Sequence, residues 1–213
     1  MKHPLHVLCN LSALLLCTVL LNACISAPTA KTLYTLQPVK QELLGLDFVG
    51  FSDMILLMPV RLAPQLQNRG LISQRSATEF TASVDHLWAG PLDRQIAENL
   101  IGNLKELLGT DNLALYPGPR FGATRYQVEV EISEFSGSEQ SFTLRAVYTL
   151  SDSASKTMLE RKSFLKTLAI DKPDHSGYVE SASRAIANLS KEVAVALLAA
   201  RRSQSQPQHP HEK

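Results

Sequence analysis

Alternating apolar and polar residues between positions 126 and 150 predict a pair of antiparallel strands. The apolar positions of the first strand are Tyr126, Val128, Val130 and Ile132, and those of the second are Phe142, Leu144, Ala146, Tyr148 and Leu150. Because successive side chains of a strand point to opposite faces, this period of two places one face in a core and the other in solvent. We expect the two strands to be joined around residues 136–138. A third strand is predicted between residues 158 and 170, where Arg161 and Lys162 indicate an exposed edge.

Shorter strands are predicted in the first half of the chain. Residues 33–36 form a β-like piece that ends before Pro38, and residues 54–59 are a nearly continuous apolar run. Such a run is typical of a strand buried on both faces. Residues 71–73 and 79–83 are weaker candidates, separated by polar residues that suit a hairpin.

Two segments show the helical period instead. The first helix is predicted over residues 91–108, because its apolar residues recur three or four apart, Pro91 suits a helix start and Gly109 a helix end. Gly102 inside this helix costs up to about 1 kcal/mol relative to alanine, which favours a close packing contact there. The second helix is predicted to begin near residues 174–177 and to end near Ala200. It is rich in alanine, so a neighbouring element can approach closely.

These elements together predict an α+β domain over residues 32–200, with a mostly antiparallel sheet and two main helices packed on one face. Residues 201–213 are predicted to be a disordered tail, because no apolar residue occurs from Ser203 onward.

The N-terminal segment predicts export. Lys2 precedes an uncharged apolar stretch at residues 11–21, about half the roughly 20 residues that a spanning helix needs. Residues 1–23 are therefore interpreted as a signal peptide that is removed. Residues 21–24, Leu-Asn-Ala-Cys, resemble a bacterial lipobox, which makes Cys24 the predicted site of lipid attachment, palmitate included. The alternative is that Cys24 is one more cysteine in a segment that already contains Cys9 and Cys17.

Acylation at Cys24 would anchor the protein to a membrane without spanning it. Ile25 and Ser26 follow the cysteine, and by resemblance to the sorting rule a lipoprotein without Asp there goes to the outer membrane. We therefore expect a lipid-anchored protein on the periplasmic face of the outer membrane. Residues 24–31 carry the lipid and form a short tether whose last seven residues reach at most about 25 Å. A partner must then bridge the gap to the inner membrane.

Composition excludes several function classes. Without Lys2, the mature chain has 20 basic and 20 acidic residues, and this balance argues against a nucleic-acid partner, which needs a basic face. One remaining cysteine leaves no disulfide, CxxC motif or thiolate zinc site.

Two polar clusters contain residue types that can serve catalysis or metal binding. Asp85 and His86 could belong to a hydrolytic triad, but the chain has no G-x-S-x-G motif, so we interpret them as polar residues in a loop before a helix. Asp171, Asp174 and His175 could hold a metal, but capping of the following helix explains them better. The sequence predicts no catalytic residue, no cofactor and no metal site.

The segment at residues 87–92, Leu-Trp-Ala-Gly-Pro-Leu, carries the only tryptophan immediately before the first helix. An aromatic residue there either locks the helix start onto the sheet or anchors a partner. Core packing is the favoured use, and binding stays open. The candidate partner interface comprises Leu87, Trp88, Pro91 and Leu92.

The chain resembles the ABC-type transport auxiliary lipoprotein component family, which includes the PqiC-like lipoproteins of the paraquat-inducible type. The matching features occur in the family's order from the lipobox at Cys24 to the last helix. They include the residues at positions 34–36, 58–60, 69–72, 87–92 and 126–130, and the helix at 178–198. Gly90 departs from the family, in which a charged residue is frequent at this position.

This resemblance implies a non-enzymatic role. Family members act with MCE-domain proteins, which are anchored in the inner membrane and form hydrophobic conduits across the periplasm. By resemblance, the chain is expected to dock such a conduit for intermembrane lipid transport and to support envelope integrity. Its alanine-rich helix allows a homo-oligomer without requiring one. The rival interpretations are a structural or assembly-accessory outer-membrane lipoprotein and a secreted hydrolase.

Overall fold

The computed structural model describes residues 30–41, 53–76, 78–118 and 122–205. The predicted signal peptide, Cys24 and residues 25–29 of the tether lie outside the described residues, as do residues 206–213 of the predicted tail.

One mixed sheet contains the nine strands of the described part of the chain. They are β1 (Thr32–Tyr34), β2 (Met54–Leu57), β3 (Arg61–Leu62), β4 (Gly70–Gln74), β5 (Phe80–Trp88), β6 (Leu113–Leu115), β7 (Thr124–Gly137), β8 (Ser141–Asp152) and β9 (Thr157–Ala169). Strand β7 organises the sheet. On one side it pairs antiparallel with β8, which pairs antiparallel with β9, and on the other it pairs in parallel with β2, β3 and β4. Strand β5 pairs antiparallel with β4 and in parallel with β1, and β6 pairs in parallel with β2.

The antiparallel half of the sheet confirms the alternating pattern. Buried residues of β7 and β8 face one another in register, as at Val130 and Tyr148, and the residues between them are more exposed. A bulge between Ile132 and Glu134 shifts the alternation so that Phe135 also enters the core. Strand β7 therefore runs to Gly137, and the turn to β8 lies one or two residues later than predicted. In the described part of the chain β9 pairs only with β8, which confirms the predicted edge.

The strands predicted in the first half of the chain are present as β1, β2, β4 and β5, with β4 and β5 antiparallel as expected of a hairpin, but the parallel pairing and strands β3 and β6 were not predicted. Strands β3 and β6 are only two and three residues long and show no period of their own. The prediction that Asp85 and His86 lie in a loop is wrong, because β5 continues to Trp88. Pairing with β1, which aligns Thr32 with His86, extends the strand through these polar residues.

Both predicted helices are present. Helix α1 (Leu92–Leu108) ends at Gly109, whose φ of 59° is the left-handed conformation that glycine adopts readily. Helix α2 (His175–Ser205) continues five residues beyond the predicted end at Ala200. Helical hydrogen bonds propagate at low cost once a helix has formed, and Arg202 lies in the last turn, where the helix dipole favours a positive charge.

The two helices pack on one face of the sheet and share its core. Four aromatic residues meet there from β5, β7, β8 and α2, namely Trp88, Phe135, Phe142 and Tyr178. The Phe142 and Tyr178 rings meet edge to face at 5.0 Å, and the Tyr178 hydroxyl donates to the Ile72 carbonyl at 2.9 Å. Burial raises the pKa of Tyr178. Alanines of α2, such as Ala182 and Ala185, are fully buried in this core.

A segment that we call the strap, residues 35–41, lies along α1 without forming a strand or helix. Side chains of α1 accept hydrogen bonds from its backbone: Gln95 from Leu36 at 3.0 Å, Asn103 from Val39 at 3.1 Å and Glu106 from Gln41 at 3.2 Å. The polar stripe of α1 therefore satisfies backbone groups that no sheet partner reaches.

Among the described residues, no helix is both long enough and apolar enough to cross a bilayer.

Candidate functional site

A pocket of about 560 Å³ opens where the chain passes from β5 into α1. One wall comes from the start of α1, and the other from β3 and the 3₁₀ turn that follows it. The lining residues are Val60, Arg61, Leu62, Leu66, Gln67, Asn68, Arg69, Gly90, Pro91, Leu92 and Asp93. We call this the α1 pocket. It coincides with part of the segment that the sequence selects as a candidate interface.

Trp88 lies in the core beneath this pocket. Its side chain is 1% exposed and packs against Phe135 and Tyr178, with ring centroids 6.1 and 6.4 Å away. Its backbone N–H donates to the Arg69 carbonyl at 2.7 Å. Of the two uses that the sequence leaves open, the tryptophan therefore serves to lock the helix start onto the sheet.

The other candidate interface residues differ in accessibility. Leu92 is buried, Leu87 is half-buried and Pro91 is exposed. Gly90 beside it has open space, because a Cβ atom built on it would meet no heavy atom within 4 Å. Pro91 is therefore the exposed one of the four candidate residues, and together with Gly90 it forms an open rim of the α1 pocket.

Local hydrogen bonds fix that rim. The Pro91 carbonyl accepts from the Gln95 backbone N–H at 3.1 Å, and the Gly90 carbonyl accepts from the Gln95 side chain at 3.2 Å. Ala89 donates its backbone N–H to the Tyr34 carbonyl at 2.8 Å. Pro91 is the N-cap residue of α1, one position before the first helical position at which the sequence predicts it. A partner would thus meet a rim that is already ordered.

The two arginines of the pocket differ in their surroundings. Arg61 is hydrogen-bonded to Glu129 at 3.2 Å and to Glu131 on the neighbouring strand. The bond to Glu131 raises the pKa of Arg61, and the same contact lowers the pKa of Glu131. Arg69 is exposed and makes no ion pair within the described residues. Arg69 is therefore available to an acidic group of a partner, a feature that the sequence does not reveal.

His86, a candidate member of a hydrolytic triad, contacts residues that do not form such a triad. His86 Nδ1 lies 3.0 Å from the Tyr34 hydroxyl, and its ring stacks on His175. The nearby Ser83 hydroxyl accepts the His86 backbone N–H at 3.0 Å, a contact with the backbone and not with the imidazole. This arrangement does not form a nucleophile and base pair.

The residues considered for a metal are likewise engaged. Asp171 pairs with Arg184 at 2.8 Å. Asp174 accepts from the Gly177 backbone N–H at 2.7 Å and the Ser176 hydroxyl at 2.8 Å, which places it as the cap of α2. These bonds lower the pKa of Asp174. Across the described ranges, no three His, Cys, Asp or Glu side chains are grouped to hold a metal.

Comparison with known proteins identifies the family. The sequence model of the ABC-type transport auxiliary lipoprotein component matches residues 34–194, about three-quarters of the chain. The chain belongs to this family. The match extends from the end of β1 into α2 and so includes the α1 pocket.

A curated relative of this family member is the intermembrane transport lipoprotein PqiC of Escherichia coli strain K12. It is 26% identical over 117 residues, which cover 55% of this chain and 60% of the relative. The chain thus matches about three-fifths of the length of that protein.

Two solved structures share the fold. A protein from Xanthomonas campestris, XCC0632, has a TM-score of 0.68 at 12% identity and covers 82% of this chain and 99% of its own. An uncharacterized protein has a TM-score of 0.65 at 19% identity, with coverage of 79% and 99%. At these identities the likeness concerns the fold alone.

Proposed function

We propose that this family member is a non-enzymatic auxiliary subunit of an MCE/ABC-type intermembrane lipid transport system. Acyl chains on Cys24 hold it at the periplasmic face of the outer membrane, and it docks the periplasmic end of a conduit whose MCE-domain protein is anchored in the inner membrane. By this contact it supports envelope integrity. The family match over residues 34–194 carries the proposal, and the name of the Escherichia coli relative supports it.

The rim of the α1 pocket is the proposed contact surface. Gly90 and Pro91 present an ordered, accessible edge, and Arg69 adds a positive charge beside it. Trp88 and Leu92 are buried in the core, and their packing there holds the helix start and the rim in place. Partner interfaces commonly place an arginine beside a small apolar surface, which is what this rim offers.

Self-association does not follow from the alanines of α2. Ala182, Ala185 and Ala194 are fully buried against the domain's own core, so these small residues serve packing within one chain. These three alanines are therefore not accessible to a second copy of the chain.

Affinity capture tests the proposal. The mature lipoprotein, solubilised in detergent from its own cells, should recover an MCE-domain protein. Gly90→Glu and Arg69→Glu should each reduce that recovery at least about tenfold, since loss of one interface anchor commonly costs more than 1.4 kcal/mol. Deleting residues 87–92 would be a poor test, because Trp88 and Leu92 belong to the core.

A matched control is Val195→Glu, which places the same charge on an exposed position of α2. Its recovery of the MCE-domain protein should equal that of the unsubstituted chain. Equal recovery with all three variants would reject the rim as the contact. Recovery of outer-membrane assembly proteins in place of any MCE-domain protein would support the assembly-accessory role and contradict this proposal.

A further inference from the structure

Two histidines from distant parts of the chain stack face to face on the surface. The ring centroids of His86 and His175 lie 3.5 Å apart, and their planes are inclined by only 8°. His86 belongs to β5 and His175 is the first residue of α2. The hydroxyl of Tyr34, at the end of β1, lies 3.0 Å from His86 Nδ1. Three elements thus meet through three titratable side chains.

This cluster lies where the chain enters the domain. Strand β1 is only three residues long and follows directly on the predicted tether. Its register with β5 pairs Thr32 with His86 and Tyr34 with Trp88. A three-residue parallel strand has few backbone hydrogen bonds of its own, so side-chain contacts at its end contribute a large share of its attachment.

Neutral and charged imidazoles behave differently at this distance. Two neutral rings can stack, whereas two imidazolium ions 3.5 Å apart repel each other. Burial, followed by the neighbouring His86, lowers the pKa of His175, and Asp174 partly opposes this. The Tyr34 hydroxyl can donate to a neutral Nδ1 or accept from a protonated one. Charge on both rings would therefore disfavour the stack.

The other charges around the pair oppose this repulsion only in part. The carboxylate of Asp174, which caps α2, favours a charged His175, but burial and His86 together outweigh it. Lys172, which acts on Asp174, pairs with Glu180 at 2.8 Å. Glu139, from the β7–β8 turn, lines a small pocket of about 150 Å³ together with His175, but no ion pair joins them. Asp85 precedes His86 in β5 and is half-buried.

We propose that the His86–His175 stack, with Tyr34 bound to it, is a pH-sensitive fastening that holds β1 to the start of α2 at neutral pH and releases it in acid. Release would lengthen the tether by the three residues of β1, at most about 10 Å. The pH response involves only described residues and is independent of the α1 pocket and of the partner, whereas its effect on reach rests on the proposed lipid attachment at Cys24.

The direction of the pH effect follows from proton binding. Because the fastened form holds His175 with a lowered pKa, the released form binds protons more readily. The fastened form is therefore fully stable above the ordinary histidine value of about 6.5, and it loses stability as the pH falls through that value towards the lowered pKa of His175.

Hydrogen–deuterium exchange on the full mature lipoprotein in detergent tests this device. Peptides that contain β1 are compared at about pH 7.5 and about pH 5.5, on either side of the ordinary histidine pKa, with rates corrected for intrinsic exchange. We expect exchange of β1 to accelerate in acid by up to about tenfold, the limit for one histidine whose ordinary pKa lies about one unit above pH 5.5. Equal corrected rates at the two pH values would overturn the proposal.

Two variants separate the stack from general acid effects. His175→Gln removes one ring at an exposed position and should make the corrected exchange of β1 nearly independent of pH, while the core peptides of β7 and β8 stay protected. His209→Gln, at a residue of the predicted tail, should keep the full acid response of β1. An unchanged acid response in His175→Gln would overturn the proposal as well.

Discussion

Gly102 of α1 faces the ring of Pro38 so closely that a Cβ atom on the glycine would lie 2.7 Å from Pro38 Cγ. The sequence predicts a close contact at Gly102 because a glycine inside a helix is costly. The strap supplies that contact. Gly102 thus lets residues 35–41 lie against the helix, where Gln95 and Asn103 bind their backbone.

Replacing Gly102 with alanine should therefore destabilise the domain. Overpacking costs about 1–3 kcal/mol, and the better helix propensity of alanine offsets about 1 kcal/mol, so we expect a net loss of up to about 2 kcal/mol. Urea unfolding followed by circular dichroism measures this change. Gly90→Ala is the control, since its Cβ meets no atom within 4 Å. A gain in stability for Gly102→Ala would show that the strap does not lie against α1.

Asn103→Ala tests how α1 holds the strap. The asparagine is fully buried, accepts from the Val39 backbone N–H at 3.1 Å and donates to Asn99 at 2.8 Å. Leaving these groups unsatisfied should cost about 1–3 kcal/mol of unfolding free energy. Glu106→Gln keeps an oxygen for Gln41 at an exposed position and should change stability by less than about 0.5 kcal/mol. Equal effects of the two substitutions would contradict the assigned hydrogen bonds.

The single tryptophan reports directly on its surroundings. Because Trp88 is buried among Phe135 and Tyr178, its fluorescence should be emitted at short wavelength and resist quenching by iodide. Addition of the MCE-domain partner should leave this emission nearly unchanged. Trp88→Ala should lower the unfolding free energy by about 3–5 kcal/mol. Strong quenching in the native protein would instead place the tryptophan at an exposed interface.

Mass spectrometry of the mature protein tests the anchor. We expect Cys24 to be the first residue and to carry acyl chains, whose buried methylenes each contribute about 0.8 kcal/mol to membrane binding. Cys17→Ser should leave this modification unchanged, because that cysteine belongs to the predicted signal peptide. A bare thiol at Cys24, or a mature chain that begins elsewhere, would refute the lipid attachment.

The elements predictable from the sequence are those that bury one face along their own length, together with β2, whose continuous apolar run is buried on both faces. The alternating residues of β7 and β8 and the helical period of α1 and α2 encode which side meets the core. Strands β3 and β6 carry no such signal, because two or three residues gain strand geometry only by pairing with β7 and β2. The same limit explains the misplacement of Asp85 and His86, which are in a strand because β1 pairs there.

For the candidate interface, the sequence predicts where the segment lies but not which of its residues are exposed. The segment at residues 87–92 indicates a helix start of interest, but its sequence does not separate the buried Trp88 and Leu92 from the exposed Pro91. That division depends on Phe135 and Tyr178, which arrive from distant elements. Arg69 becomes notable only when the fold brings it across the α1 pocket from Gly90. The sequence does contain one sign of the strap that the predictions did not use. On α1, Gln95, Asn99 and Asn103 recur four residues apart and form a polar stripe.

Photo-crosslinking in intact cells tests the central claim most directly. A photoreactive amino acid is placed at position 90, on the open rim of the α1 pocket, and in a second strain at the exposed position 195 of α2. Our account predicts that position 90 crosslinks to an MCE-domain protein anchored in the inner membrane and that position 195 does not. A full-length, lipid-modified protein that crosslinks to no MCE-domain protein from position 90 would contradict it.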